Sequence, residues 1–219
     1  MVNSDTVAAA LADVRRRIDD VIRPWSHPVR IVAVTKGFGP DAIVAASAAG
    51  AAAIGENYAQ ELLAKRDAAR AANVEVQFIG GLQRNKVRQL VDLVDVWSSL
   101  DRRSVIDEVA KRAPGAQVQI QVNATGEEHK PGVPVDDVHA LVEHAQSLGL
   151  GVAGLMAVGP TRGGPAAARP AFARTRSLVD ELGLVRCSMG MTADLEVAVE
   201  EGATEVRIGT GLFGPRPTR

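Results

Sequence analysis

Val7, Leu11, Val14, Ile18 and Ile22 stand three or four positions apart between arginines and aspartates, the spacing of one apolar face on a helix over residues 5–23 that Pro24 ends. After it the pattern changes to short apolar runs near 30–35, 51–55, 75–79, 93–97, 117–122, 150–154, 184–187 and 205–208, which predict strands. Between them, Ala-, Leu-, Arg- and Glu-rich segments near 40–49, 57–72, 84–91, 102–112, 136–147, 166–182 and 192–201 carry helical periodicity. Strands alternating with helices, without a composition shift that would mark a second unit, predict a single (β/α)8 TIM barrel over residues 1–219, with residues 1–24 supplying an extra helix packed on it. An open doubly wound sheet is the structural alternative. Segments 124–134 and 159–165 are rich in turn formers and are the expected flexible parts.

Composition narrows the function classes. A chain of 219 residues with 46% hydrophobic content can bury one sizeable core. Its 25 basic and 26 acidic residues leave a charge of -1, with no basic cluster or aromatic ladder, so nucleic acid is not an expected partner. No apolar run approaches the roughly 20 residues of a membrane span, and no charged-then-apolar leader opens the sequence, which points to a cytoplasmic protein without a membrane partner. Cys187, the one cysteine, cannot form an internal disulfide, and the four histidines show no metal-ligand spacing, so no metal is expected. Nothing signals an oligomer, and a monomer is the default expectation.

Polar residues fall where the predicted strands end, the face on which barrel enzymes build their sites. Lys36 closes the run Ile31-Val32-Ala33-Val34-Thr35 and precedes the turn Gly37-Phe38-Gly39-Pro40, a setting that can present a desolvated, nucleophilic amine. Asn57 and Tyr58 follow the second strand, Asn123 the fifth, Met156 the sixth and Ser188 the seventh, while Arg207, Gly209 and Thr210 close the eighth. Loops after the last two strands of such barrels gather backbone N–H groups into a phosphate cradle, to which Ser188 can add a hydroxyl and Gly209 close backbone approach. The G-x-G-x-x-G match at 209–214 is not read as a dinucleotide site, because only Pro215 to Arg219 remain after it. An amine and a phosphate cradle that meet across the barrel seam would bridge a ligand with an aldehyde and a phosphate, and pyridoxal 5′-phosphate (PLP) is the obvious one.

The runs Val-Thr-Lys36, Ile-Gly-Glu-Asn57-Tyr, Phe-Ile-Gly80-Gly-Leu-Gln-Arg-Asn-Lys86, Gly-Leu-Met156-Ala, Ser188-Met-Gly-Met-Thr-Ala-Asp194 and Val-Arg207-Ile-Gly-Thr-Gly-Leu-Phe-Gly214 follow in order across residues 31–214. In them the chain resembles the pyridoxal phosphate homeostasis protein family. The resemblance implies a barrel similar to the amino-terminal domain of alanine racemase. It also implies PLP held as a Schiff base on Lys36, Asn57 beside the ring, the phosphate at Ser188, Gly209 and Thr210, and Arg207 facing the pyridine nitrogen. A cationic partner disfavours protonation of that nitrogen, so carbanion chemistry is expected to be weak. Residues 123–132 resemble the family's N-x-x-x-E-x-x-K-x-G loop, which makes Lys130 a secondary place for the aldehyde. Two departures stand out. Gln77 occupies a position where members often carry histidine, which removes a proton-transfer group, and Thr192 replaces a usual serine but keeps its hydroxyl.

Three functions follow from this reading. The first is intracellular PLP homeostasis, with sequestration of the aldehyde and delivery to PLP-dependent apoenzymes as partners, and without robust turnover. The second is a PLP-dependent amino-acid racemase, which needs a second base; the one tyrosine, Tyr58, would have to supply it. The third is a Schiff-base aldolase of a sugar phosphate.

Overall fold

The computed structural model describes residues 2–216, so Met1 and residues 217–219 of the expected 1–219 unit lie outside the described residues. Eight strands form a closed parallel barrel: β1 (Arg30–Val34), β2 (Ala53–Glu56), β3 (Glu75–Phe78), β4 (Val96–Leu100), β5 (Gln117–Asn123), β7 (Gly151–Ala157), β8 (Arg186–Ser188) and β9 (Glu205–Ile208). They run in the order β4-β3-β2-β1-β9-β8-β7-β5, and pairing of β4 with β5 closes the ring. This is the (β/α)8 barrel expected from the alternating pattern, and the open sheet is excluded. A two-residue strand, β6 (Val133–Pro134), adds to the top of β5 inside a segment expected to be irregular.

Each side of a strand has its own chemistry. In β5, Val118, Ile120 and Val122 join the apolar layer under the helices, while Gln119 and Gln121 alternate with them and enter the barrel. Ile31 and Ala33 of β1, and Val206 and Ile208 of β9, also lie in that outer layer. The helix α1 (Ser4–Asp19) buries Val7, Leu11, Val14 and Ile18, and packs across α2 (Pro40–Ala48), α9 (Leu195–Glu200) and α10 (Thr210–Phe213), so it covers the seam between the first and last βα units. Burial of each such side chain is worth about 1.5–3 kcal/mol. Its N-terminus is capped by Asn3, whose Oδ1 accepts from the Thr6 amide at 3.0 Å.

Element boundaries shift where packing overrides pattern. The fourth strand begins at Val96, later than the apolar run suggests, because Leu93 and Val94 are buried in the turn that follows α5 (Arg84–Leu90). The helix expected over 57–72 is two helices, α3 (Ala59–Ala64) and α4 (Arg66–Ala71), broken at Lys65, which has φ -103° and ψ 10°.

The lower barrel is filled by polar side chains. Glu205 is fully buried and accepts from Gln77 Nε2 at 2.8 Å and Gln119 Nε2 at 3.3 Å, with Arg30 and Arg186 at 3.7 and 3.8 Å. Arg186 also makes a two-pronged contact with Glu75, at 3.0 and 2.8 Å, and Ser98 Oγ donates to Gln77 Oε1 at 3.2 Å. Burial works to raise the Glu75 pKa, but the bonds from Arg186 and Gln77 overcome it and hold the carboxyl below its usual range. Glu205→Leu takes the acceptor from Gln119 Nε2 and leaves Gln77 Nε2, Arg30 and Arg186 with Glu75 alone, and is expected to destabilise the protein by about 3–5 kcal/mol, read from urea unfolding, while Glu205→Gln is expected to lose less because it keeps hydrogen-bonding capacity.

Candidate functional site

Above this polar floor, at the carboxyl ends of the strands, lies a cavity of about 520 Å³, within the roughly 300–1,000 Å³ usual for small-ligand sites. Lys36, Asn57, Met156, Arg207, Gly209 and Thr210 all line it. The chain thus brings together residues that lie far apart in sequence.

Lys36 enters the cavity because strand alternation puts Val34 and Lys36 on the inner side of β1 and Thr35 on the outer. Its amine is pushed below the ordinary lysine pKa, chiefly by burial and then by the Arg216 and Arg207 guanidinium groups, with Glu61 opposing. More of it is therefore the neutral, nucleophilic form at a given pH. Arg216 has no motif that would mark it in the sequence. It reaches the site by tertiary placement, its side chain lying against the turn at Gly37.

Arg207 is held rigidly. Its Nη1 donates to the Ser188 carbonyl at 2.7 Å and to Ser188 Oγ at 3.0 Å, and its Nη2 donates to the Ala157 carbonyl at 2.7 Å. Burial lowers its pKa, with Glu205 and Asp194 opposing. Among the described residues Nε carries no hydrogen bond, which leaves a donor on a side chain that lines the cavity. Ser188, expected at the phosphate, is fully buried with its hydroxyl on Arg207, and it is not among the cavity-lining residues.

Thr192 stands at the other end. Its Oγ1 accepts from the Gly211 amide at 3.2 Å and meets Thr210 Oγ1 at 3.2 Å, so two hydroxyls and the Gly209-Thr210 backbone sit together at the cavity wall. A Cβ at Gly209 would meet protein no closer than 3.5 Å, at Val34, so protein packing alone does not demand glycine there. At Gly80 it does. A Cβ there would fall 1.9 Å from the Asn57 carbonyl oxygen, and this close backbone approach sets the position of Asn57 in the cavity.

The secondary candidates lie elsewhere. Gln77 belongs to the polar floor, bonded to Glu205 and Glu75. Tyr58 is half exposed at the start of α3 and does not line the cavity. Lys130 Nζ donates to Glu127 Oε2 at 2.7 Å and to the Gly159 carbonyl, and its neighbour Pro131 lines the cavity. Glu127 in turn accepts from the Thr161 amide at 3.0 Å and hydroxyl at 3.1 Å. The two segments expected to be flexible are therefore tied to each other by Glu127 and Lys130, across the mouth of the barrel. The Lys130 side chain is only 12% exposed. Cys187 is buried on the outer face of β8, where burial pushes its thiol up to about 12 and leaves it inert.

Comparison with known proteins places this geometry in a family. The sequence model of the alanine racemase N-terminal domain matches residues 9–217. A pyridoxal phosphate homeostasis protein of Aquifex aeolicus is 41% identical over 198 residues, covering 85% of this chain and 87% of the relative. The structure of PipY from Synechococcus elongatus PCC7942 with PLP bound superposes with a TM-score of 0.80 at 29% identity, covering 95% of this chain and 100% of that one. Alanine racemase from Corynebacterium glutamicum shares the fold, with a TM-score of 0.77 at 16% identity over 99% of this chain and 62% of its own. A closed barrel with a lysine at the end of β1, matched over nearly its whole length by these relatives, belongs to the pyridoxal phosphate homeostasis protein family.

Proposed function

We propose that the protein binds PLP in this cavity, holds it as a Schiff base on Lys36, and serves intracellular PLP homeostasis rather than robust turnover. The observation that carries the reading is the Lys36 amine, depressed in pKa by burial and two guanidinium groups, inside a cavity that Arg207 also lines. The residues fit such a group. Thr192, Thr210 and the Gly209 backbone offer hydroxyls and close approach for a phosphate, Asn57 flanks the space between, and the unbonded Nε of Arg207 suits a neutral ring nitrogen. PLP bound in this way supplies an electrophilic aldehyde carbon and, where its ring is protonated, an electron sink.

The protein's own groups favour holding over turnover. Arg207 is fixed by three hydrogen bonds, and its guanidinium can donate a hydrogen bond to a ring nitrogen without giving up the proton, which keeps the ring a poor electron sink. Racemisation needs a base on each face of the substrate, and Tyr58 lies outside the cavity, so the racemase reading lacks its second base among the described residues. The neutral amide of Gln77 is engaged in the floor and supplies no proton transfer. Lys130, at the mouth, is the candidate to receive the aldehyde during release, and PLP-dependent apoenzymes are the recipients in this reading. A monomeric, cytoplasmic carrier of one barrel unit accords with it.

Three outcomes test the proposal. With PLP the wild type is expected to turn yellow and to retain the cofactor on Lys36 after borohydride, located by peptide mass; Lys36→Ala is expected to fold and to lose that adduct. A colourless wild-type protein would instead favour the aldolase reading. Attachment should speed up as pH rises through the Lys36 pKa, with a midpoint below the ordinary lysine value of about 10.4, because the neutral amine is the reacting form. Gly80→Ala is expected to push Asn57 away, weaken PLP binding about tenfold and destabilise the fold by about 1–3 kcal/mol, measured by cofactor titration and urea unfolding.

A further inference from the structure

Lys36 is gripped through both of its neighbours in the chain. On the outer side of β1, Thr35 is fully buried; its Oγ1 donates to Glu56 Oε1 at 2.5 Å, and its carbonyl accepts from Lys65 Nζ at 2.8 Å. Lys65 Nζ also donates to Glu56 Oε1 at 2.7 Å and lies 3.9 Å from Glu61 Oε2. On the other side of Lys36, the Gly37 amide donates to Glu61 Oε2 at 2.7 Å. Every one of these partners comes from residues 56–65, the end of β2 and the helix that follows.

Stability alone does not account for this arrangement. Glu56 is fully buried and Lys65 is 4% exposed, and desolvating such a pair cancels most of its attraction, so an apolar pair of equal volume would serve the core as well. Glu56 Oε2 is moreover buried without a partner among the described residues, and burial drives that carboxyl's pKa up against the pull of Lys65. What the charges supply that apolar groups cannot is direction. Their hydrogen bonds converge on the peptide units immediately before and after Lys36. The chain even breaks its helix at Lys65, the residue whose amine turns in to the Thr35 carbonyl.

We propose that Glu56, Lys65 and Glu61 form a clamp on the Thr35–Gly37 turn that aims the Lys36 amine into the cavity, making them positioning residues for covalent capture of the cofactor. The proposal rests on Lys36 being the attachment residue. A turn freed from the clamp lets the amine swing toward water, where it is no longer desolvated or held beside Arg216 and Arg207, and misplacement on the scale of 1 Å is enough to cost about 100-fold in a positioned reaction. The charged groups facing Lys36 are Arg216, Arg207 and Glu61, and those facing Glu56 are Lys65 and Glu61.

The test uses Thr35→Val, which deletes one hydroxyl at constant shape, and the double variant Glu56→Gln/Lys65→Met, which removes both buried charges. Thr35→Ser serves as the conservative control. Reductive methylation of Lys36 in the cofactor-free protein, followed across pH by peptide mass, reads how the amine is held. The rate at which PLP becomes borohydride-fixed on Lys36 reads capture. The clamp predicts that in both variants the methylation midpoint rises toward that of an ordinary lysine and capture slows about tenfold or more, with wild-type behaviour in Thr35→Ser. Unchanged midpoints and rates in variants with native circular dichroism would overturn it. If the double variant does not fold, Thr35→Val decides the question alone. An adduct found on another lysine in the wild type would sink the attachment reading, while the methylation midpoints would still report on the clamp.

Discussion

The carboxylate of Glu205, buried at the centre of the barrel, is the interaction on which the rest of the interior depends. It gathers amide donors from Gln77 on β3 and Gln119 on β5 and stands within reach of Arg30 and Arg186 on β1 and β8. Members of a parallel barrel that fill their lumen with branched apolar side chains need no such anchor. Here the lumen is polar, so each group must find a partner there, and the network is demanding because a half-satisfied one is worse than none. By filling the lower half it makes the floor of the cavity at the carboxyl ends of the strands.

The same inner faces carry the cavity-lining groups one layer higher. Glu205 and Arg207 are two residues apart on β9, so they point the same way, and Arg207 continues the polar stack upward to Ser188 and Ala157. Lys36 completes the layer across the seam, since β1 pairs with β9. Two guanidinium groups near one amine would be a poor choice for stability, yet after burial, which acts most, they lower the Lys36 pKa further. The outer faces supply the opposing requirement. Apolar residues there hold the helices, and a buried polar exception, the Thr35–Glu56–Lys65 group, lies directly behind the turn that carries Lys36.

Much of this was legible in the residues. Strict alternation in Gln117-Val-Gln-Ile-Gln-Val-Asn123 declares a strand with one polar face, and the ordered runs around Lys36, Asn57, Gly80, Met156 and Arg207 name the cavity wall. Other features were hidden by the same alternation. It says that Gln77 and Ser188 point inward but not at what height, and height decides that Gln77 joins the floor and that Ser188 serves Arg207. Glu56 stands in a run quoted for Asn57, and nothing local marks it as a buried partner of Thr35 and Lys65. Segments 124–134 and 159–165 look like loose turns until Glu127 reaches Thr161.

The sequence by itself determined the barrel, its covering helix, and the set of residues that meet at the carboxyl ends of the strands, because these follow from periodicity and from the order of short motifs, which are local properties of a chain. The tertiary structure alone decided partnership: Gln77 finds Glu205 across 128 residues, Arg216 comes to rest beside Lys36, and Thr192 rather than Ser188 stands with Thr210 at the wall. Such pairings depend on barrel closure and strand register, which bring distant side chains to within a few ångströms, and a one-dimensional pattern holds the alternation of faces without the stagger that sets which faces meet.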